Sequence, residues 1–315
     1  MKTLFAAALA LGALVAAPFA HAADWTPPGP IKLMIAFAAG GGADTQARLI
    51  AEELEARHGW TIIPEQVTGK GGLNLAAALK DAPADGTVIG LAVTETVGYN
   101  MAAAGKSGMS PEDFTGITTT AGFQMGVVAK ADKGWESFDD MIAAAKEDTL
   151  RFGTMSPRLA DLAYLIGQAN GVEFNIIEVK GGKAVMNGVN AGDMDLGFMA
   201  GIQRKGVASG DLVNLASAMT DPLVQTPDAP TMDAIGVPFD GGGAFVFLAP
   251  AGLPDEAREA LASAIGEIVS DPETKAGGLI AKAFGGALVQ TGDELTARLK
   301  ADYDGAGALM KAVSE

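Results

Sequence analysis

The strongest constraint on this sequence is a glycine-rich loop, residues 40–42, that joins an apolar segment to an amphipathic one. The apolar segment, residues 31–37, is short and is followed by turn residues, which predicts a buried parallel strand. Across residues 43–58 the apolar positions recur at helical spacing, and Gly59 follows, which predicts a helix that ends at a glycine. The loop therefore lies between the end of a strand and the first turn of a helix.

A loop in this position is suited to bind an anion. The first backbone N–H groups of a helix have no partner within the helix, and the helix dipole places partial positive charge beside them. Such a helix start is a ready site for a phosphate or a carboxylate. We therefore expect residues 40–42 to supply one half of a binding site.

The first 22 residues have the pattern of a signal peptide. Lys2 is followed by an apolar stretch over residues 4–19, and the Ala-His-Ala at residues 20–22 fits a cleavage site. We therefore expect removal of residues 1–22 and a periplasmic location, with a retained N-terminal anchor as the alternative. The sequence contains no cysteine, which excludes a disulfide and a diacylated lipoprotein anchor.

Length and charge narrow the class further. After cleavage roughly 290 residues remain, which is long for one core and usual for two domains. The formal net charge of the whole chain is −16, and such acidity argues against nucleic acid or an anionic membrane surface as a partner. An anionic ligand would therefore have to be bound by a local field, which oriented backbone amides can supply.

Strand-like and helix-like segments alternate through the chain, which predicts an α/β protein with parallel sheets. The alternation restarts after the first of two apolar segments, 117–130 and 244–249, each long enough to cross between two lobes. We expect residues 23–123 and 245–315 to form the first lobe and residues 124–244 the second. Hinge closure around a ligand cleft is the motion expected of such a pair.

Catalytic and cofactor signatures are weak. The pattern Gly40-x-Gly42-x-x-Thr45 lacks the third glycine of a dinucleotide fingerprint, and no Gly-Lys pair has the spacing of a phosphate-binding P-loop. His58 is the one histidine after residue 22, it stands at a predicted helix end, and no Gly-x-Ser-x-Gly elbow is present. Metal ligation by histidine or thiolate is not available. We expect no enzyme activity, no metal and no cofactor.

Several short motifs resemble one family. The pattern Phe-x-x-Gly-Gly-Gly-x-Asp-Thr-x-Ala-Arg at residues 37–48 resembles the opening of Bug/TctC proteins, the periplasmic solute receptors of tripartite tricarboxylate transporters. The likeness covers nearly the whole chain after the signal peptide and continues at residues 69–74, 85–87, 180–182, 227–231, 248–254 and 271–272. It implies a two-lobed type II periplasmic-binding-protein fold that holds a ligand carboxylate between the lobes.

The resemblance also implies a set of ligand-binding residues drawn from four loops. In the family the first glycine loop offers backbone amides and, with its aspartate, orders bridging waters. Mapped onto this sequence, the implied residues are Phe37, Gly40, Gly41, Gly42, Asp44, Thr45, Thr94, Glu95, Thr96, Asn100, Thr154, Ser156, Arg158, Lys180 and Gly181.

The sequence departs from the family pattern in the second-lobe loop, residues 153–158, which has lost its glycine spacing. The usual histidine after it is Asp161 here. Arg158 is either a bidentate partner of a second ligand carboxylate or a solvated arginine at a helix start. Glu95 would repel a second anionic group unless it is protonated or paired with Arg158. Asp44 either caps its helix or contacts the ligand through water.

We interpret the chain as a monomeric extracytoplasmic receptor that captures a small organic acid between two lobes. It would deliver this acid to the membrane permease subunits of a tripartite tricarboxylate transporter. Two alternatives stay open: a receptor that serves a membrane sensor kinase, and a periplasmic enzyme on a Rossmann-like fold. The identity of the acid is not predicted, because the sequence leaves the family pattern in the second-lobe loop.

Overall fold

The computed structural model describes residues 25–105 and 107–315, so the predicted signal peptide lies outside the described residues. The strands are β1 (Ile31–Ile35), β2 (Ile62–Gln66), β3 (Val88–Val93), β4 (Phe114–Gly122), β5 (Met125–Lys130), β6 (Arg151–Thr154), β7 (Asn175–Glu178), β8 (Leu196–Ala200), β9 (Leu212–Ser217) and β10 (Ala244–Pro250). The α-helices are α1 (Gly42–His58), α2 (Leu73–Lys80), α3 (Met101–Ala103), α4 (Phe138–Glu147), α5 (Pro157–Asn170), α6 (Gly182–Ala191), α7 (Arg204–Ser209), α8 (Asp255–Ser270), α9 (Lys275–Phe284), α10 (Gly292–Asp304) and α11 (Ala306–Ser314). Within the described ranges, no helix is both long and apolar enough to cross a membrane.

The strands form two five-stranded sheets, one for each lobe, which confirms the predicted two-lobed α/β architecture. The first sheet has the order β2-β1-β3-β10-β4 and the second has the order β7-β6-β8-β5-β9. In each sheet the first three strands are parallel, and the fourth runs antiparallel to both of its neighbours. Both sheets are therefore mixed, whereas the alternating pattern predicted parallel sheets. The antiparallel strands, β10 and β5, are the ones that enter each sheet from the other lobe.

The chain crosses between the sheets twice, at two adjacent points. It leaves the first sheet at the end of β4 and enters the second at the start of β5, with Phe123 and Gln124 between them. It returns through residues 241–243 into β10, which lies wholly in the first sheet. The N–H of Phe123 donates to the carbonyl oxygen of Gly243 at 2.8 Å, so the two crossings are hydrogen-bonded to each other.

The segment around the first loop forms as its residues predict, with β1 ending at Ile35 and α1 beginning at Gly42. Helix α1 buries Ala47, Ile50, Ala51 and Leu54 against the first sheet. It ends at Gly59, which has a φ of 69° and donates its N–H to the carbonyl of Glu55. This left-handed residue is the glycine stop that the sequence indicates.

Candidate functional site

A cavity of about 60 Å³ lies between the two lobes. The first lobe lines it with the loop before α1 and the end of β3, and the second lobe with the loop before α6 and the end of β8. These are carboxyl ends of parallel strands, where open α/β sheets bind ligands. Because one water-sized probe needs ~10–15 Å³, the cavity has room for only a small ligand.

The first wall of this cavity is the start of α1. Gly40 has a φ of 75°, and its N–H donates to Oδ2 of Asp44 at 2.8 Å. The N–H groups of Gly42 and Ala43, which both line the cavity, find no acceptor among the described residues. Two donors at a helix N-terminus are therefore free to bind an anion, as the sequence indicated for this loop.

The second wall is the start of α6, which mirrors the first. Gly181 has a φ of 110° and precedes the helix, and the N–H groups of Gly182 and Lys183 find no acceptor in the described ranges. Both residues line the cavity. Gly182 belongs to residues 180–182, which the family resemblance already included, whereas Lys183 was not among the expected site residues. Two helix N-termini, one from each lobe, thus meet at one cavity.

The remaining walls are mainly apolar. The apolar side chains that line the cavity are Phe37, Val93, Phe123, Met125, Met155, Leu159, Ile202 and Phe245. Phe123 and Phe245 pack edge to face with ring centroids 5.1 Å apart, and both stand at the crossings between the lobes. A ligand with an apolar body and one charged end fits such a cavity best.

Glu95, which follows β3, is the one carboxylate side chain that lines the cavity among the described residues. The residue is 4% exposed, and its Oε2 has no hydrogen-bond partner in the protein. Burial raises the pKa of this carboxyl, although the charge of Arg158 and the nearby side chains of Ser156 and Asn100 act in the opposite direction. No cluster of three or more His, Asp or Glu side chains in the described part of the chain is arranged for a metal ion.

Arg158 lies beside Glu95, but its guanidinium does not line the cavity. Its Nη1 donates to the carbonyl oxygen of Gly242 at 2.8 Å, and its Nη2 donates to that of Asp240. The shortest separation from Glu95, between Nη1 and Oε2, is 3.8 Å. The guanidinium is therefore occupied by the segment that returns to the first lobe.

Asp44 is held by protein partners. Its carboxylate accepts hydrogen bonds from the N–H of Gly40, from Nε of Arg48 at 2.9 Å and from Nε2 of Gln66. The side chain is 5% exposed and does not line the cavity. Its contact with Gly40 shapes the loop, whereas the N-cap residue of α1, Gly41, has no side-chain cap.

Thr94, Thr96 and Asn100 fix neighbouring backbone. Oγ1 of Thr94 accepts from the N–H of Ala244 at 3.2 Å, which ties the end of β3 to the start of β10. Oγ1 of Thr96 and Nδ2 of Asn100 donate to the carbonyl of Gly71 at 2.9 and 3.1 Å. They hold the second glycine loop, in which residues 69–72 all have positive φ.

Thr154 and Ser156 are fully buried in the second lobe and do not line the cavity. Oγ of Ser156 accepts from the N–H of Leu159 at 3.3 Å and caps α5. Oγ1 of Thr154 has no hydrogen-bond partner in the protein.

Of the fifteen residues implied by the resemblance, the structure brings six to the cavity wall: Phe37, Gly41, Gly42, Glu95, Lys180 and Gly181. Gly40 and Thr45 line an adjoining groove. The seven that line neither space are Asp44, Thr94, Thr96, Asn100, Thr154, Ser156 and Arg158.

The adjoining groove has a volume of about 1270 Å³ and is lined by both lobes. It shares Gly41, Gly42, Lys183 and Ile202 with the cavity. Its charged side chains are mostly basic: Lys130, Lys183, Arg204, Lys205, Lys275 and Lys282, against Asp132, Asp211 and Glu273. The strongly acidic chain thus presents a locally cationic surface beside the cavity, which favours the approach of an anion.

Contacts between the lobes hold the cavity closed. The hydroxyl of Tyr99, in the first lobe, donates to Oδ2 of Asp161 on α5. The N–H of Arg158 donates to Oδ1 of Asn100 at 3.3 Å, again from the second lobe to the first. The structure is therefore of a closed arrangement, in which both helix N-termini face the same space.

The chain matches, over residues 46–285, a family model described as the tripartite tricarboxylate transporter family receptor, TctC. The UPF0065 protein encoded in the TAR-I ttuE-ttuC' intergenic region of Agrobacterium vitis is 28% identical over 284 residues, covering 86% of this chain and 80% of that protein. Protein BugT of Bordetella pertussis is 26% identical over 258 residues, covering 76% of this chain and 75% of BugT.

Solved structures show the same fold. MatC of Rhodopseudomonas palustris with bound malate is similar with a TM-score of 0.78 at 20% identity, covering 91% of this chain and 100% of that one. The R. palustris protein Rpa4515 with adipate is similar with a TM-score of 0.80 at 21% identity, covering 91% of this chain and 98% of that one. The family match extends over most of the chain, and the predicted type II periplasmic-binding architecture is confirmed. The chain therefore belongs to the tripartite tricarboxylate transporter receptor family, TctC, within the Bug/TctC group that its motifs resemble.

Proposed function

We propose that this protein is a periplasmic receptor, without enzymatic activity, that captures a small organic acid between its lobes. It delivers this acid to the permease subunits of a tripartite tricarboxylate transporter. The observation that carries the proposal is the convergence of two helix N-termini with free N–H groups, at Gly42 and Gly182, on one cavity. Family membership and the malate and adipate complexes of two structural neighbours support it.

The mechanism is closure of one lobe on the other. In the first lobe, the N–H groups of Gly42 and Ala43 bind the ligand carboxylate. When the second lobe closes on the first, the N–H groups of Gly182 and Lys183 complete the site. Because all four donors are backbone groups, the site can bind an anion although the net charge of the whole chain is negative. The two crossings beside Phe123 would act as the hinge.

We also propose lobe boundaries at residues 123/124 and 244/245, and cleavage of the signal peptide after Ala22. The boundaries are supported by the positions where the chain passes from one sheet to the other. The proposed contact residues are those on the cavity wall, with Gly182 and Lys183 added to the set implied by the family resemblance.

A thermal-shift panel tests this function. Protein stripped of ligand is melted with mono-, di- and tricarboxylates, and with neutral and cationic solutes of the same size. A true ligand at ~100-fold above its dissociation constant adds roughly 2.7 kcal/mol to the free energy of unfolding. We expect at least one organic acid to raise the melting temperature. If only neutral or cationic solutes do so, the carboxylate proposal is wrong, and turnover of a bound acid would favour the enzyme alternative.

A further inference from the structure

Glu95 adds a hydrogen-bond acceptor to the cavity, whereas the two helix N-termini supply hydrogen-bond donors. The carboxyl is nine-tenths buried, lines the cavity, and has an oxygen with no hydrogen-bond partner. A buried acceptor without a partner costs free energy, and native structures normally satisfy such groups. A ligand in this small cavity is the group that would satisfy it.

Among the described residues no neighbour forms a hydrogen bond with Oε2 of Glu95, although the side chains of Ser156 and Asn100 favour the charged carboxylate. Arg158 is the nearest cation, but its Nη1 is 3.8 Å from Oε2, which is beyond hydrogen-bond distance. Both of its terminal nitrogens already donate to backbone carbonyls, those of Gly242 and Asp240. Asn100 donates its Nδ2 to the carbonyl of Gly71. Glu95 therefore lines the ligand space with a carboxyl whose Oε2 accepts no hydrogen bond within the described part of the protein.

The helix N-termini and the Glu95 carboxyl together determine which functional groups a ligand needs. Its carboxylate is attracted to the N–H groups of Gly42 and Gly182, at two helix N-termini. A second carboxylate would then meet the carboxyl of Glu95, where two ionised carboxylates repel each other and an ionised ligand carboxylate has no hydrogen to donate. An ammonium, amide or hydroxyl group would instead donate a hydrogen bond to it.

We propose that this receptor selects a monocarboxylate with an apolar body and a hydrogen-bond donor, an amino or a hydroxyl group, directed at Glu95. This inference rests on the proposed function, because it assumes that the cavity binds an organic acid. It identifies the class of that acid and excludes dicarboxylates as the preferred ligands. The apolar walls around Phe37, Met155 and Phe245 accommodate the carbon atoms between the two ends.

Calorimetric titration of the stripped, mature protein tests the proposal with acids of matched length. The three-carbon probes are propionate, malonate, β-alanine and 3-hydroxypropionate, and the four-carbon probes are butyrate, succinate, 4-aminobutyrate and 4-hydroxybutyrate. We expect a donor-bearing acid to bind wild-type protein at least tenfold more tightly than the dicarboxylate of the same length. A dicarboxylate that binds as tightly as its donor-bearing analogue would overturn the proposal without using any variant.

The Glu95→Gln variant provides the second arm. It replaces the carboxyl by an amide of the same shape, so we expect the amino acid probe to lose at least tenfold in affinity. Propionate or butyrate should change little, and discrimination against the dicarboxylate should shrink. An unchanged order of affinities in a folded variant contradicts the inference. If acids bind without any preference for a donor, only this inference fails; if no organic acid binds here or in the thermal-shift panel, the proposed function fails with it.

Discussion

The backbone N–H of Ala38 donates a hydrogen bond to the carbonyl oxygen of Lys180 at 3.4 Å, across the gap between the lobes. This contact joins the loop before α1 to the loop before α6. It brings the free N–H groups of both helices to the same cavity, which neither lobe can complete alone. The proposed function therefore couples binding to closure, and changes at contacts between the lobes should alter affinity.

Replacing Gly71 by alanine should disturb closure as well as folding. Its φ is 58°, and an added Cβ would lie 2.4 Å from Nδ2 of Asn100 and 2.9 Å from Cβ of Ser156, in the other lobe. We expect the free energy of unfolding to fall by about 1–3 kcal/mol from overpacking, in addition to the backbone strain. Ligand affinity should fall at least tenfold, measured by titration after chemical denaturation has established the stability.

Gly134→Ala is the matched control for this change. Gly134 has a φ of 72°, and an added Cβ would have nothing within 4 Å, so only the backbone strain remains. We expect a small loss of stability and no change in affinity. If both variants lose stability and affinity equally, the packing of the second glycine loop against the other lobe does not matter for binding.

Replacing Tyr99 by phenylalanine removes the hydroxyl that donates to Asp161 across the lobes. Because a hydrogen bond to a charged group contributes about 1.5–3 kcal/mol, ligand affinity should fall by roughly tenfold or more. The Tyr164→Phe variant is the control, since that exposed hydroxyl bonds only to Gln168 on the same helix. Equal dissociation constants for Tyr99→Phe and wild type would show that the contact does not stabilise the closed state.

The Arg158→Lys variant separates two roles for this side chain. A lysine keeps the charge but cannot reach both the Asp240 and the Gly242 carbonyls, so we expect a loss of about 1–3 kcal/mol in the free energy of unfolding. Affinities for a monocarboxylate and its dicarboxylate analogue should change by the same factor. A larger loss for the dicarboxylate would instead indicate that Arg158 contacts a second ligand carboxylate.

Asp195 should make the second lobe sensitive to acid. Burial alone would raise its pKa, but hydrogen bonds from the Arg151 and Lys133 side chains and the Arg151 N–H hold the pKa well below its usual range. Its stabilisation is therefore complete above the unfolded value of about 3.9 and is lost as the pH falls below that value. We expect Asp195→Asn to cost on the order of 2 kcal/mol at pH 7.

Between pH 4 and pH 2, the free energy of unfolding of Asp195→Asn should fall less steeply than that of wild type, as measured by denaturant titration at each pH. The exposed neighbour Asp193 provides the control, and Asp193→Asn should retain the wild-type slope. Identical slopes for Asp195→Asn and wild type would contradict the proposed linkage.

Much of the fold could be predicted because it depends on local patterns. The residues of β1, before the first loop, are nearly all apolar and do not alternate with polar ones as in an exposed strand. Helix α1 has apolar residues at helical spacing, so both elements form where expected. Helix α2, Leu73–Lys80, likewise buries apolar residues, among them Leu75, Ala76 and Leu79. Helix α9 begins at Lys275, where Thr274 caps it, although Pro272 also suits a first helical position. The hydroxyl of Thr274 reaches the N–H of Gly277, which makes it the better start.

The side chains of the site were harder to predict because their partners are distant in sequence. Asp44 is bound by Gln66, 22 residues away, and Arg158 by the carbonyl of Gly242, 84 residues away. A sequence pattern shows that a polar group is available, but it does not show which partner satisfies it. The apolar walls, from Phe37 to Phe245, come from many separate segments and carry no local signal.

The central claim is that backbone N–H groups at two helix starts bind the ligand carboxylate, and Gly182 allows a direct test. A Cβ at this position meets only Met155 and Ile202, at ordinary contact distances of 3.7 Å and more, so alanine is tolerated there and keeps the N–H. Proline at the first helical position removes the N–H without breaking a helical hydrogen bond.

The decisive measurement is the ratio of the dissociation constants of Gly182→Pro and Gly182→Ala for the organic acid that binds wild type most tightly. A hydrogen bond to a charged group contributes about 1.5–3 kcal/mol, so the ratio should be roughly ten or more. A ratio near one, with both variants folded, would contradict the account, because the carboxylate would then be bound elsewhere.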